Sequence, residues 1–233
     1  MARITRKELK SDRFALEVEH TVDFFEEHRQ ELIRYGAIAV AVILLIVGIM
    51  LYTRHQHGVR EDALAKAIAI QEAPVGPPQP GFNLNFPTQD AKDQVALKAF
   101  SDVASKYSGS EEGYIAQYYL GAIKADQGKL AEAETEFKAV ADKGDDRTAS
   151  LAKLSLAQLY FGDGRVDQGE AVLRNLIAHP TFYVSADQAT LTLARYLGPR
   201  KPADARKLLE PLRSRPGAVG QQALSILGEL PPQ

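Results

Sequence analysis

The sequence predicts an all-α protein: a single N-terminal transmembrane helix followed by an α-solenoid of about three to four helical hairpins. Three observations predict it. Residues 35–52 run without one charged or strongly polar side chain. From residue 91 onward, apolar side chains recur at helical spacing in short blocks separated by turn signals, the mark of short helices. The blocks also resemble one another: Ala133-x3-Phe137-x2-Val140, Gly169-x3-Leu173-x2-Leu176 and Ala205-x3-Leu209-x2-Leu212 share one pattern.

Composition narrows the function before any motif is weighed. A net charge of −2 argues against nucleic acid as a partner, because neutralising a phosphate backbone takes a basic surface. The chain has no cysteine, which excludes disulfides, thiolate metal sites and cysteine nucleophiles together. It has no tryptophan either, so aromatic anchoring at a membrane interface falls to tyrosine.

Residues 1–34 form an amphipathic tail. Phe14, Val18, Val22, Phe25 and Leu32 fall on one side of a helix, and Thr5 with Glu8 forms a capping box at its start. Its polar face is acidic, with Glu17, Glu19, Asp23, Glu26, Glu27 and Glu31; this suits a partner helix or scaffolding better than anionic lipid. Residues 35–52, Tyr35-GAIAVAVILLIVGIML-Tyr52, then span about 27 Å as a helix, close to the roughly 30 Å hydrocarbon core of a bilayer. A tyrosine stands at each boundary, and Thr53-RHQHGVRED follows without a small-residue cleavage pattern, so the segment reads as an anchor in the lipid bilayer. Seven Lys/Arg in the tail place the N-terminus in the cytoplasm by the positive-inside rule. Close to the membrane the count is even-handed, with Arg29 and Arg34 against Arg54, Arg60 and Lys66.

Residues 53–72 continue as a membrane-proximal helix with Ala63, Leu64, Ala67, Ile68 and Ile70 as apolar members. Residues 73–90 hold five of the twelve prolines, a density that predicts an extended linker. The helical domain follows over 91–233. Its clearest hairpin is Glu111–Lys143, with Tyr114, Tyr118, Leu120, Gly121 and Ile123 on the first helix and a turn at Asp126-QGK. The next has Leu156-Ala157-x2-Tyr160, a turn at Phe161-GDGR and a second helix through Leu173. The third has Leu193-Ala194-x2-Leu197, a turn at Gly198-PRKP and a second helix through Leu209. Ala96-x3-Phe100-x2-Val103 matches the second-helix pattern alone, and Val219–Leu230, with Leu224 and Leu227 apolar, predicts a capping helix. Small residues at Gly121, Ala157 and Ala194 allow close helix approach, while Phe137, Leu173 and Leu209 fill the gap to the neighbouring hairpin.

A small residue after leucine in the first helix, then Ala-x3-Phe in the second, at spacings of about 34–37 residues, resembles the tetratricopeptide repeat. The tryptophan of the repeat consensus is missing, and its closing proline appears only loosely at Pro180 and Pro216. The wider layout, with Asp23-FFEEHRQELIRYG running into the apolar helix and then Gln56-HGVREDALAKA, resembles the YfgM-type ancillary subunits of the Sec translocon. The proline-rich insertion departs from that family. The resemblance implies a single-pass protein of the bacterial inner membrane whose C-terminal domain faces the periplasm. Its partners would be the Sec translocon, periplasmic folding factors or client proteins.

No catalytic constellation is present. GxSxG, P-loop, HExxH and dinucleotide fingerprints are absent. His55 and His57 point in different directions on a helix, without an acidic ligand at metal spacing. Glu132, Glu134 and Glu136 read as solvated surface, and no cofactor is expected. The prediction is therefore a non-enzymatic interaction module with Tyr118, Gln158, Phe161 and Arg195 as candidate partner-binding residues on the first helices. The competing reading is a self-assembling scaffold. Residues 91–146 hold 7 Lys/Arg and 11 Asp/Glu, whereas 147–233 hold 11 and 7, so oppositely charged halves favour self-association.

Overall fold

The computed structural model of the chain describes residues 29–77, 81 and 83–231. Among these residues there are nine α-helices and one 3-10 turn. The expected tail helix, from the Thr5–Glu8 box to Phe25, lies outside the described residues. The chain divides into two units, Met1–Gly58 and Val59–Gln233. Helix α1 (Arg29–Glu72) begins in the first unit. It is long and apolar enough to cross a membrane, and every side chain from Tyr35 to Tyr52 is exposed.

The second unit starts at Val59 rather than at residue 91, because the end of α1 has apolar side chains with somewhere to go. Leu64 and Ala67 are buried in one cluster with Ala96, Phe100 and Val103 of α2 (Gln89–Lys106) and with Ala116 and Leu120 of α3 (Glu111–Asp126). Arg60 pairs with the buried Glu112 carboxylate at 3.3 Å. Helix α2 carries a second-helix pattern, and the end of α1 packs its apolar side chains into the cluster that α2 and α3 share.

The described residues at the two ends of the proline-rich segment are tied to each other, where an extended linker was expected. The Gly76 N–H donates to the Phe86 carbonyl at 2.9 Å, and the Phe86 N–H donates to the Pro74 carbonyl at 3.1 Å. The Asn85 amide donates to the Gly76 carbonyl at 2.6 Å. Lys92 of α2 donates to the carbonyls of Gln71 and Ala73 at 3.1 and 3.4 Å, satisfying acceptors that a helix end leaves open.

Six further helices complete the unit: α4 (Leu130–Lys143), α5 (Asp146–Gly162), α6 (Val166–Ala178), α7 (Ala186–Leu197), α8 (Pro202–Leu209) and α9 (Ala218–Glu229). Each from α2 to α8 packs on its successor, and α3 touches α5 directly as α7 touches α9. First helices thus form one layer and second helices the other. Local chemistry distinguishes the starts of the middle helices, α3 to α7. Helices α3, α5 and α7 start on the side-chain caps Ser110, Asp145 and Ser185, each accepting a backbone N–H three residues on. Helices α4 and α6 lack such caps and follow tight turns whose glycines, Gly128 and Gly164, have φ of 74° and 76°, a conformation that favours glycine.

The repeated knobs behave as their pattern predicts. Phe137, Leu173 and Leu209 are buried, and so are Ala157 and Ala194. A Cβ at Gly121 would stand 2.8 Å from the Phe137 ring, so close approach there requires glycine. Helix α9 packs Leu227 against the core as expected but leaves Leu224 outside. It buries Ala223 and Ile226, with Leu230 just beyond its end, while Leu224 is exposed. Positions 223, 226 and 230 share one helical face, and 224 lies off it.

Candidate interaction surface

Gln158 and Arg195, predicted from sequence on separate hairpins, line one groove. It lies in the first-helix layer between α5, α7 and α9 and encloses about 410 Å³. Its rim is polar: Gln158 from α5, Gln188, Thr192 and Arg195 from α7, and Gln222 from α9. Leu191, Tyr196 and Val219 supply apolar lining. Leu191 is buried and Tyr196 half-buried, whereas Gln158, Gln188, Arg195 and Gln222 are exposed. Helix α7 presents this set because Gln188, Leu191, Thr192 and Arg195 are spaced i, i+3, i+4 and i+7, which is one face of a helix. That spacing was the signal for Gln188 and Thr192, and the sequence reading passed over it. For Gln222 the sequence held no signal, since its place depends on how the last helix docks.

Phe161 is not part of the surface. It is 6% exposed and stacks on Tyr196, with ring centroids 4.3 Å apart and planes 6° from parallel. A Cβ at Gly169 would stand 2.8 Å from the Phe161 ring. The missing side chain at 169 therefore opens the space that draws this ring inward. Phe161 supports the groove from beneath, through Tyr196.

Tyr118 lies one hairpin away and is half-buried. Its ring packs on Phe137 at 5.6 Å, and its hydroxyl shares a 3.3 Å hydrogen bond with the Ser155 hydroxyl. The structure makes it a tie between α3 and α5, and does not bring it into the groove with Gln158 and Arg195.

The glutamates of α4 are more engaged than a solvated face would be. Glu134 accepts from Arg165 at 2.7 Å, from Lys138 at 2.7 Å and from the Tyr160 hydroxyl at 3.1 Å. The Arg165 bond, followed by that from Lys138, holds its carboxyl at about 2, below the ordinary 4.5. Glu136 accepts from Lys124 at 2.8 Å and from Gln117 at 3.0 Å. Only Glu132 keeps a mostly exposed side chain. His179 ends α6, its ring nitrogen 3.3 Å from the Asn175 carbonyl, as a donor at a helix C-terminus should.

Among the described residues no group of three or more His, Asp or Glu is placed to hold a metal ion. Residues 23–194 match the sequence model of the family described as a tetratricopeptide repeat-like domain. No curated protein and no solved structure matches the chain.

Proposed function

The chain belongs to the tetratricopeptide repeat-like domain family, and from that premise we propose that it is a membrane-tethered protein–protein interaction module. Domains of this kind are generally interaction modules rather than enzymes, and stacked first helices are where such arrays hold extended segments or partner helices. The observation that carries the reading is the groove between α5, α7 and α9. Thr192 donates to the Gln188 carbonyl at 2.9 Å, while the side chains of Gln158, Gln188, Arg195 and Gln222 make no hydrogen bond or ion pair among the described residues and are available to a partner.

The tether is α1. Its uncharged stretch at residues 35–52 inserts in the bacterial inner membrane, with the N-terminus cytoplasmic and the array in the periplasm. There the module assists translocation or folding of secretory and envelope proteins, with the Sec translocon, folding factors or their clients as partners. The charge division between residues 91–146 and 147–233 favours a second reading, an envelope scaffold assembled head to tail through complementary halves.

A photo-crosslinking residue in place of Gln158, in the full chain in membranes, tests the first reading. Adducts with translocase subunits, folding factors or nascent envelope proteins are expected, and a reporter fused after Gln233 should be active only outside the cytoplasm. A cytoplasmic reporter, or adducts only with other copies of the chain, overturns it; self-adducts that vanish at high salt establish the scaffold instead.

A further inference from the structure

The outer face of α9 departs from the rest of the array. No Asp, Glu, Lys or Arg occurs from Pro216 to Gly228, although the last element of a stack ordinarily keeps a polar outer face. Gln221, Leu224, Ser225 and Gly228 are spaced i, i+3, i+4 and i+7, which is one face of a helix. All four are exposed, Leu224 at 53%. Among the described residues α9 packs on α7, α8 and the 3-10 turn, through the opposite face that buries Ala223 and Ile226.

The exposed face is complementary to itself. Its N-terminal half carries the large side chains, Gln221 and Leu224, and its C-terminal half the small ones, Ser225 and Gly228. Two such faces laid antiparallel put Leu224 over Ser225 and Gln221 over Gly228, a large side chain over a small one each time. Laid parallel, they put large on large. The helix ends favour the same direction. Helices α3, α5 and α7 start on side-chain caps, whereas α9 starts at Gly217, which has none. Its other end carries Glu229, whose carboxylate accepts from the Ser225 hydroxyl at 3.3 Å and keeps lone pairs to spare. Antiparallel pairing carries each Glu229 to the uncapped start of the other helix, where an anion is stabilised. The nearby cations are committed elsewhere: Arg206 to the carbonyls of Leu230 and Pro231, Arg213 to Glu210, and Arg215 to Asp187.

We propose that α9 makes a two-fold contact with a second copy of this chain, the two helices antiparallel and crossing between Leu224 and Ser225. A contact of this kind closes on itself, unlike a head-to-tail scaffold. Each helix has 12 residues and is about 18 Å long, so the pair covers less than the roughly 1,600 Å² of a standard interface. The contact is therefore weak between free chains and forms between chains held in one membrane, where tethering raises their effective concentration. To that extent it rests on the tether proposed above, and it is independent of what the groove holds.

The chain has no cysteine, so single cysteines report the contact without background. In membranes treated with a mild oxidant, full chains carrying Ser225→Cys should form a disulfide-linked dimer. Gln221→Cys and Gly228→Cys should each stay monomeric alone and link to one another when co-expressed. Lys207→Cys, exposed on α8, should not link. Adding Leu224→Arg to the Ser225→Cys chain should cut the dimer about tenfold, because two guanidinium groups then meet across the two-fold axis. The melting temperature should not change, since Leu224 is exposed. Equal linking at 207 and 225, a dimer that survives Leu224→Arg, or Gln221→Cys linking to itself overturns the proposal. So does a Ser225→Cys adduct with another protein alone. Absence of any link at 225 overturns it as well, and alkaline extraction of the membranes then tells whether the tether falls with it.

Discussion

At position 134 a carboxylate meets three donors at once: Arg165 from the start of the next second helix, Lys138 one turn along, and the Tyr160 hydroxyl. At position 170, 36 residues later, the arrangement recurs with Arg174 one turn along and Lys201 from the next hairpin. Its carboxyl too is held below the usual range, first by the Arg174 hydrogen bond. The third hairpin has Arg206 at the matching position, turned to the carbonyls of Leu230 and Pro231. No further hairpin follows it among the described residues, and Arg206 satisfies the open carbonyls at the end of α9 instead. A lowered carboxyl stabilises the fold fully above its unfolded value of about 4.5 and loses that contribution as pH falls through about 2. Glu134→Gln should therefore cost about 1 kcal/mol at pH 7. The deficit should shrink steadily between pH 4.5 and 2, and thermal melts of both proteins at pH 7 and pH 2.5 measure it. A gap of the same size at both values refutes the clamp.

Among the elements, the end of α1 has the largest consequence. A chain beginning at Val59 keeps Leu64 and Ala67 over Phe100, and Arg60 beside Glu112. A chain beginning at Ala91 keeps neither. The first should unfold cooperatively in urea; the second should be less stable by at least about 3 kcal/mol, from the lost apolar burial and the removed guanidinium. Equal midpoints would show that residues 59–72 lie outside the folded unit. The apolar positions of this stretch were legible in the sequence, and so was the solitary second-helix pattern of α2. What hid their pairing is the loop between them. Proline density reports the lack of regular structure, but it does not report that Gly76 and Phe86 are tied. The candidate site divides in the same way. That Gln158 and Arg195 stand on first helices, each next to a buried alanine, Ala157 or Ala194, was legible in the repeat pattern; that they line one groove was not. Nor was the place of Phe161, because the direction its ring takes depends on a glycine in the following helix.

At the scale of the whole second unit, helices from α2 onward pack mainly on their neighbours, so stability should be close to a sum of local interfaces. Leu173 sits in the middle of the stack and is fully buried. Leu173→Ala should cost about 2–5 kcal/mol and raise hydrogen exchange in α5, α6 and α7 well before α2 and α3. Uniform loss of protection from α2 to α9 would mean that the array unfolds as one block. The same modular logic shapes the outward surface. Each hairpin spends its apolar faces on its neighbours, and what it leaves outward on the first-helix layer is a row of polar side chains.

The sequence by itself determined the helical class, the membrane-length segment, the hairpin period and the residues that fill each joint. All of these follow from spacing along one chain: 3.6 residues per turn, and one knob per repeat. Only the tertiary structure decided where the folded unit starts, which face α9 buries, that Phe161 lies under the groove, and that Glu134 is a clamp. Those depend on which side chains meet across helices distant in sequence, where a ring occupies the space a glycine leaves and a carboxylate turns to a donor on the next hairpin.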